Sequence, residues 1–432
     1  MVNWYKILII FSIPFIFSAT IYVPEDFEII QDAVDFAEEY DSIFVDSGNY
    51  PECLEIEEKS ISIIGNPQEY PTIACVVELG IVFQMMNFTQ KSVNISNFKL
   101  NGNGIARAIK FNETTLGLYN IECEDFDESA IYGSNSFLNA ENLIINNPGE
   151  NAKFYIQFTN SDVVLNSGEL SNLASNELNS KILYAIGSTI QINNFLIQNN
   201  LTFDDGTFRI FNSQFSANNI TFNNNHLEFG QGGAIYSFQS DLDISNSVFE
   251  NNSAPIGGAI SAQSSKVNLF NSIFKNNSSN SGGAISHSSD SLFIKNTQFE
   301  SNQSENGGAL HIFSSFVEFH KSLCRGNFSN LSGGCMSIVN GELSLTFSNI
   351  LKNESFLREN IKSNNSQIFI LNSIFEKVDY LYDNFQFYDE TQAYISNSIF
   401  EFSDLQNIEN DNIVITQNNF NSERLNSISE LD

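Results

Sequence analysis

The sequence predicts an all-β fold, a right-handed parallel β-helix of roughly 16 coils of about 25 residues with a short capping helix near the N-terminus. Three observations predict it. Gly-Gly pairs recur at a fixed step, apolar and polar residues alternate in short runs between the pairs, and an asparagine recurs near the end of each repeat. Short alternating runs bounded by Gly and Asn indicate strands and leave no length for helices.

The Gly-Gly pairs set the period. They begin at Gly232, Gly257, Gly282, Gly307 and Gly333, which gives steps of 25, 25, 25 and 26 residues. A fixed period of this size is the signature of stacked structural repeats, each of which buries its apolar residues against the next.

Superposing the repeats shows which positions stay apolar. Two such columns stand two residues apart, the spacing of a strand. They are Leu242, Val267, Leu292, Val317 and Leu343, and Ile244, Leu269, Ile294, Phe319 and Leu345. A further column is mostly Phe: Phe249, Phe274, Phe299, Cys324 and Ile350. We expect these rings to stack in the interior, because successive coils lie about 4.8 Å apart.

An asparagine column follows the Phe column by three residues. Its members are Asn252, Asn277, Asn302, Asn327 and Asn353. Amide side chains in successive rungs can form a hydrogen-bonded ladder. The position directly after the Phe column carries Glu250, Lys275, Glu300 and Arg325, whose alternating charges we expect to pair between coils.

The Phe column extends through nearly the whole chain. Upstream it continues as Leu100, Cys123, Ile145, Leu170, Ile197 and Phe222, and downstream as Phe375, Phe400 and Phe420. The sequence therefore predicts one elongated β-helix over residues 66–420, followed by a polar C-terminal tail over 421–432.

Residues 1–18 are predicted to be a signal peptide. Lys6 precedes an apolar run that contains Pro14, is too short to span a bilayer and ends in the small residues Ser18 and Ala19. The alternative is an uncleaved membrane anchor. With cleavage, the protein is secreted, extracellular or held at the cell surface, and no transmembrane anchor is expected.

Residues 19–65 are predicted to hold a strand, a capping helix and the first coils. The helix is expected between Asp26 and Glu39, with one apolar face made by Ile29, Ile30, Ala33, Val34 and Ala37. An amphipathic helix laid over the open end of a solenoid covers its apolar interior and blocks edge-to-edge association.

Two resemblances follow from these motifs. The segments IQDAVDFA, SIFVDSGNY and SISIIG resemble the opening of pectinesterases and other members of the pectin-lyase-like superfamily of right-handed parallel β-helices. The GGA-I/L and F-x-x-N repeats resemble those of polymorphic outer-membrane proteins, which are β-helical segments at the cell surface. The resemblance implies the fold, but this superfamily holds lyases, hydrolases and esterases beside adhesins.

The five cysteines fit a secreted chain only in part. Cys53 and Cys75 stand about one coil apart and could form a disulfide. Cys123 and Cys324 lie in the Phe column and are expected to be buried thiols, while Cys335 replaces the Ala of a GGA motif.

Charge excludes one class of partner. The chain has 51 acidic and 19 basic residues, a net charge of −32, which disfavours nucleic acids and anionic polysaccharides. Uncharged glycans, cationic partners and loosely held Ca²⁺ remain compatible. The histidines fall in different columns and no metal-ligand spacing appears, so neither a metal site nor a cofactor is expected.

Several sequons agree with secretion. Predicted N-glycosylation sites are Asn87, Asn112, Asn251, Asn276, Asn302, Asn327 and Asn353. A chain this rich in Asn and Ser also produces such motifs by chance, and an asparagine packed in a ladder cannot carry a sugar.

One acidic stretch is unusually aromatic. Between residues 379 and 390 stand Tyr380, Tyr382, Phe385, Phe387 and Tyr388. Aromatic faces beside carboxylates suit sugar rings or a protein partner. In the structural alternative, alternate members point into the core.

No catalytic constellation is legible. The pairs Asp204 and Asp205, and Asp241 and Asp243, lack carboxylates one coil away, so neither makes the cluster that acid–base or nucleophilic chemistry requires. We expect a non-enzymatic scaffold or adhesin-like protein that binds a glycan or a surface protein along its side. The alternative is a degenerate or unrecognised polysaccharide lyase, hydrolase or esterase of the pectin-lyase-like superfamily.

Overall fold

The computed structural model describes residues 18–77, 80–146, 152–172, 181–203, 206–376, 383–401, 413–416 and 419–421. Over these residues the chain is a parallel β-solenoid of about 14 turns with one short helix, which confirms the predicted fold class. The number of turns differs slightly from the predicted number of coils.

Each complete turn contributes a strand to three parallel ladders, here called ladder 1, ladder 2 and ladder 3. The long strands Ile81–Asn101 and Arg107–Glu124 bend through all three ladders. The strands Phe137–Ile145, Asp162–Ser171 and Thr189–Gln198 serve ladders 2 and 3.

Ladder 1 further comprises Leu54–Glu57, Glu128–Ser134, Ala152–Thr159, Lys181–Ile186, Phe208–Phe211, Ile235–Phe238, Ile260–Gln263, Ile285–Ser288, Leu310–Phe313, Met336–Val339, Glu359–Asn364 and Asp383–Tyr388. Ladder 2 adds Thr20–Val23, Ser42–Val45, Ile61–Gly65, Gln214–Asn218, Asp241–Ser245, Lys266–Phe270, Ser291–Lys295, Phe316–His320, Glu342–Thr346, Gln367–Leu371, Gln392–Ser396 and Ile413–Thr416. Ladder 3 adds Asn49–Tyr50, Thr72–Ala74, Thr221–Asn223, Val248–Glu250, Ile273–Lys275, Gln298–Glu300, Leu323–Arg325, Asn349–Leu351, Ile374–Glu376, Ile399–Glu401 and Asn419–Asn421. Short strands outside these ladders are Leu201–Thr202, His226–Leu227, Gln303–Asn306, Phe328–Ser332 and Glu354–Ser355.

The predicted register is confirmed over its whole length. The Phe column pairs residue to residue along ladder 3 from Leu100 to Phe420. The rings of Phe249 and Phe274 are stacked, with centroids 4.6 Å apart and planes inclined by 3°. The outward charges pair as expected, with Lys275 3.4 Å from Glu250 and Arg325 2.6 Å from Glu300.

Most corners between ladders in the regular repeats follow one local rule. A residue in the left-handed region is followed by a buried polar residue, whose backbone N–H donates to the matching side chain of the next coil. One coil shows all three corners: Gln239 before Ser240, Asn246 before Ser247, and Asn251 before Asn252. Asn adopts this conformation more readily than other residues with a Cβ, which explains why it is so common here.

The buried asparagines form a continuous amide ladder at the third of these corners, as predicted. It starts two coils before the predicted column, at Asn200 and Asn225, and ends at Asn353. Each Nδ2 donates to the Oδ1 of the next asparagine over 2.8–3.1 Å. We call this row the asparagine ladder.

The Gly-Gly pairs are required where the chain enters ladder 1. Gly257 has a φ of +60°, a conformation that favours glycine. A Cβ on its neighbour Gly258 would clash with the carbonyl oxygen of Gly283 in the next coil. The pair therefore allows the coils to approach closely at this point.

The N-terminal helix is shorter than predicted. It spans Ile30–Phe36, and its first two free N–H groups donate to the Glu52 carboxylate at 2.9 Å. Ile30, Ala33 and Val34 are buried against the first coil, and Ala37 is buried just after the helix. The prediction was wrong for Ile29, which is 43% exposed because it stands before the helix with extended backbone angles.

Two disulfides are present. Cys53 and Cys75 are bonded in adjacent coils, with Cα atoms 4.8 Å apart. Cys324 is bonded to Cys335 over a Cα distance of 6.2 Å, so the expectation of a buried thiol at Cys324 was wrong. The Phe column and the Ala column of the GGA motifs face each other across the interior, and in this coil two cysteines replace the ring and the methyl group.

The replacement of a Phe and an Ala by Cys324 and Cys335 predicts that substitutions at these two positions affect stability jointly. Cys335→Ala alone should lower the free energy of unfolding by about 2–4 kcal/mol, because it removes a cross-link and leaves a gap beside Phe299. The double variant Cys324→Phe with Cys335→Ala restores the pair found in the preceding coils and should recover much of that loss. Urea unfolding followed by circular dichroism measures both variants. A double variant as unstable as the single one would contradict the facing of the two columns.

Candidate ligand surface

The outer face of ladder 1 carries the strongest candidate site. Tyr184, Arg209 and Tyr236 occupy one outward position in three successive strands, Lys181–Ile186, Phe208–Phe211 and Ile235–Phe238. Phe211 and Phe238 stand two residues further along the last two of these strands, where alternation makes them point outward as well. We call Tyr184, Arg209, Phe211, Tyr236 and Phe238 the Arg209 cluster.

A guanidinium among aromatic rings defines the cluster. The Arg209 Cζ lies 4.6 Å from the ring centroid of Phe211, 5.8 Å from that of Tyr184 and 5.9 Å from that of Tyr236. The Phe211 ring meets the rings of Tyr184 and Tyr236 edge to face, with centroids 6.0 and 5.7 Å apart. These contacts hold the side chains in place before any ligand binds.

Further contacts fix the edge of the cluster. The Tyr236 hydroxyl donates to Gln263 Oε1 at 3.4 Å, and the Gln263 amide donates to Gln231 Oε1 at 2.6 Å. On the N-terminal side, the Lys181 ammonium lies 5.8 Å from the Tyr184 ring centroid. Two cationic groups thus lie beside the aromatic rings of this strongly acidic chain, that of the half-buried Arg209 and that of the buried Lys181.

The chemistry of this arrangement suits binding rather than bond cleavage. Aromatic rings offer apolar faces for the C–H surface of a sugar ring, and a guanidinium donates hydrogen bonds to hydroxyl or carboxylate oxygens. Sequence reasoning missed the cluster. The only signal was the recurrence of Tyr184, Arg209 and Tyr236 at steps of 25 and 27 residues, and only Tyr236 lies within the regular Gly-Gly repeats.

Towards the C-terminus the outer face of ladder 1 carries mainly polar residues in place of the aromatic rings. The outward position of the Arg209 cluster continues as Ser261, Ser286, His311, Ser337, Lys362 and Gln386. Burial lowers the pKa of His311, so its imidazole is neutral at physiological pH. The Lys362 ammonium lies 5.5 Å from the Tyr388 ring centroid and donates to Ser332 Oγ at 3.2 Å.

The predicted aromatic patch is largely core. Phe385 is 8% exposed and its ring packs against Phe375 and Phe400, with centroids 4.9 and 5.9 Å away. Phe387 packs on the core as a partly buried side chain. These two residues are corrected to interior positions, because alternate residues of the strand Asp383–Tyr388 point inward.

The remaining members of that patch differ in position. Tyr388 is half-buried on the outer face of ladder 1. Tyr380 and Tyr382 lie outside the described residues, as do Asp204 and Asp205.

Carboxylates are dispersed where the structure can be described. Asp241 and Asp243 are exposed, and their neighbours in the next coil are Lys266 and Asn268, as expected from the register. Among the described residues, no group of three or more His, Cys, Asp or Glu could hold a metal ion. Burial raises the pKa of the Cys123 thiol to about 12, which makes it a poor nucleophile.

Four predicted glycosylation sites are buried. Asn302, Asn327 and Asn353 belong to the asparagine ladder, and Asn87 donates its amide to Thr114 Oγ1 at 2.8 Å. A glycan needs the same amide nitrogen that these hydrogen bonds use, so these four sites are corrected to structural positions. Glycosylation remains a prediction for three asparagines that are exposed or partly exposed: Asn112, Asn251 and Asn276.

Helices give no sign of a membrane span. Within the described part of the chain, no helix has the length and apolar character needed to cross a bilayer.

Part of the chain matches a known repeat family. Residues 246–263 and 271–288 match the Chlamydia polymorphic membrane protein repeat, which confirms the resemblance of the GGA-I/L and F-x-x-N motifs. No curated protein sequence matches the chain.

Solved structures with a related shape are distant in sequence. The surface adhesin PfbA of Streptococcus pneumoniae is 11% identical with a TM-score of 0.38, and the alignment covers 94% of this chain and 91% of the adhesin. For a Yersinia enterocolitica family 28 exopolygalacturonase, the identity is 9%, the TM-score 0.35 and the coverage 94% and 78%. For the A-module of an Azotobacter vinelandii mannuronan C-5 epimerase, they are 8%, 0.31, 86% and 93%. Similarities at this level carry no argument about function.

Proposed function

We propose that the protein is a secreted or cell-surface scaffold, adhesin-like and without enzymatic activity, that binds a glycan along its side. The Arg209 cluster carries the proposal, because it places the half-buried rings of Tyr184 and Phe211 beside a guanidinium on an outward face, with the buried ring of Tyr236 packed against it. The match to a polymorphic membrane protein repeat supports a surface location.

The net charge of the chain limits the class of glycan that it can bind. At a net charge of −32, a polyanionic glycan would be repelled over most of the surface. The Arg209 cluster therefore suits a neutral glycan best, with the rings stacked on sugar faces and the guanidinium donating to hydroxyl groups.

The dispersion of carboxylates supports a binding protein. Glycoside hydrolysis generally needs two carboxyl groups flanking the scissile bond, and lyases and epimerases need a base beside the sugar carbon. The Arg209 cluster itself contains no carboxylate, histidine or cysteine. The enzyme alternative would rest on Asp204 and Asp205, which precede Arg209 by a few residues in the sequence.

A glycan array followed by titration calorimetry tests binding. We expect one or more neutral oligosaccharides to bind, and Phe211→Ala to weaken their binding about tenfold because a stacking ring is lost. Phe369→Ala is the matched control, since Phe369 is an outward aromatic residue on ladder 2 and is 40% exposed. Absence of binding, or equal losses in the two variants, would contradict the proposal.

Turnover assays test the absence of activity. The purified protein should release neither unsaturated nor reducing ends from polygalacturonan, pectin, alginate or neutral glucans, with or without millimolar Ca²⁺. Turnover that Asp204→Ala and Asp205→Ala together abolish would instead make this pair the centre of an active site.

A further inference from the structure

The N-terminal end of the solenoid exposes apolar residues that capping does not require. Phe36 is 66% exposed and Tyr40 57%, although the helix Ile30–Phe36 needs only its buried face to cover the first coil. The Phe36 ring contacts Phe27 at a centroid distance of 5.2 Å. The outward face of a cap is normally polar, because solubility selects for this. Exposed rings at this place therefore indicate an interaction surface.

Further exposed apolar side chains stand in the same N-terminal segment. Tyr22 and Phe44 stand in adjacent strands of ladder 2 with stacked rings, 5.8 Å between centroids, and both are exposed. Ile29 is exposed directly before the helix. We call the exposed side chains Tyr22, Ile29, Phe36, Tyr40 and Phe44, with the helix between them, the N-terminal face.

The charge around these rings is mainly negative, although the Lys59 ammonium reaches the end of the helix and Lys91 pairs with Glu39 at 2.7 Å. From Ala19 to Glu58 the chain contains 13 Asp and Glu residues and no Lys or Arg. Some of these carboxylates are structural, such as Glu52 at the start of the helix and Asp41, which accepts from two backbone N–H groups. Others are exposed around Phe36, namely Asp32, Asp35 and Glu38.

Asp35, near the end of the helix, makes one contact that supports the helix, because its Oδ1 accepts from Gln31 Nε2 at 2.7 Å. Asp35 and Glu38 stand at its C-terminal end, where the helix dipole disfavours negative charge. The carbonyls there are satisfied by Lys59, whose ammonium donates to Val34, Asp35 and Ala37 at 2.8, 3.3 and 3.0 Å. The negative charge of Asp35 and Glu38 opposes the helix dipole beside an exposed ring, and it suits recognition of a cationic partner.

We infer that the N-terminal face binds a basic polypeptide segment that carries an apolar anchor residue. A basic segment supplies the charge that the acidic rim lacks, and an apolar side chain covers Phe36 and Tyr40. A second copy of this chain would oppose one acidic rim to another and is disfavoured. The inference is independent of the proposed glycan site, which lies on the outer face of ladder 1.

Fluorescence polarisation with a labelled peptide tests this inference. The probe is a peptide of alternating Lys and Leu, and its partner probe replaces every Leu by Ser at the same charge. We expect the Lys–Leu peptide to bind more tightly than the Lys–Ser peptide, and its affinity to fall as salt is raised. Phe36→Ser should weaken binding of the Lys–Leu peptide about tenfold and leave the weak binding of the Lys–Ser peptide unchanged.

Matched variants distinguish binding at the N-terminal face from non-specific electrostatic attraction of a basic peptide to an acidic protein. Phe356→Ser is the apolar control, since Phe356 is 73% exposed far along the chain, and Asp241→Asn with Asp243→Asn is the charge control. Asp32→Asn with Asp35→Asn should weaken binding and reduce its salt dependence, and the controls should not. Equal effects of variants and controls, or no preference for the Lys–Leu peptide, would overturn the inference. A concentration-dependent dimer in sedimentation velocity that Phe36→Ser abolishes would overturn it in favour of self-association.

Discussion

The asparagine ladder is the interaction on which the rest of the structure depends. Each amide donates to the next asparagine and to a backbone carbonyl, as Asn277 does to Asn302 Oδ1 at 3.0 Å and to Phe249 O at 2.8 Å. Its Oδ1 accepts from both the amide and the backbone N–H of Asn252. A slip of one residue between coils would leave all these buried groups without partners, at about 1–3 kcal/mol each. The ladder therefore fixes the register of the coils, while the stacked rings beside it bury apolar area.

A fixed register leaves the outward positions open to variation. Because interior positions repeat, a change in an outward residue alters the surface without disturbing the coil, and the three ladders become three independent faces. Ladder 1 carries the Arg209 cluster, ladder 3 carries the paired charges from Glu250 to Arg325, and the N-terminal face ends the rod. The two proposed binding sites, for a glycan along the side and for a basic polypeptide at the end, therefore lie on separate surfaces.

The sequence predicted the parts of the structure that repeat and missed those that do not. The Phe column and the asparagine ladder were correct because each coil imposes the same steric and hydrogen-bonding demand. The Cys324–Cys335 disulfide was missed because linear columns do not show which positions face each other across the interior. The Arg209 cluster was missed for a different reason: Tyr184, Arg209 and Tyr236 share a column, but the residue type changes from one coil to the next. For the aromatic run around Phe385 the sequence left two interpretations open, a ligand patch and strand alternation, and alternation is the one that the burial of Phe385 and the packing of Phe387 bear out.

Hydrogen exchange of an Asn277→Ala variant tests the role of the asparagine ladder most directly. The substitution removes the acceptor of Asn252 and the donor to Asn302, so amides in the strands Val248–Glu250 and Gln298–Glu300 should lose protection by about a hundredfold. Asn268→Ala is the control, since Asn268 makes the same amide contact with Asp243 on the outer face of ladder 2. We expect local loss of protection in the ladder variant and unchanged protection in the control. Equal protection in the two variants would contradict it.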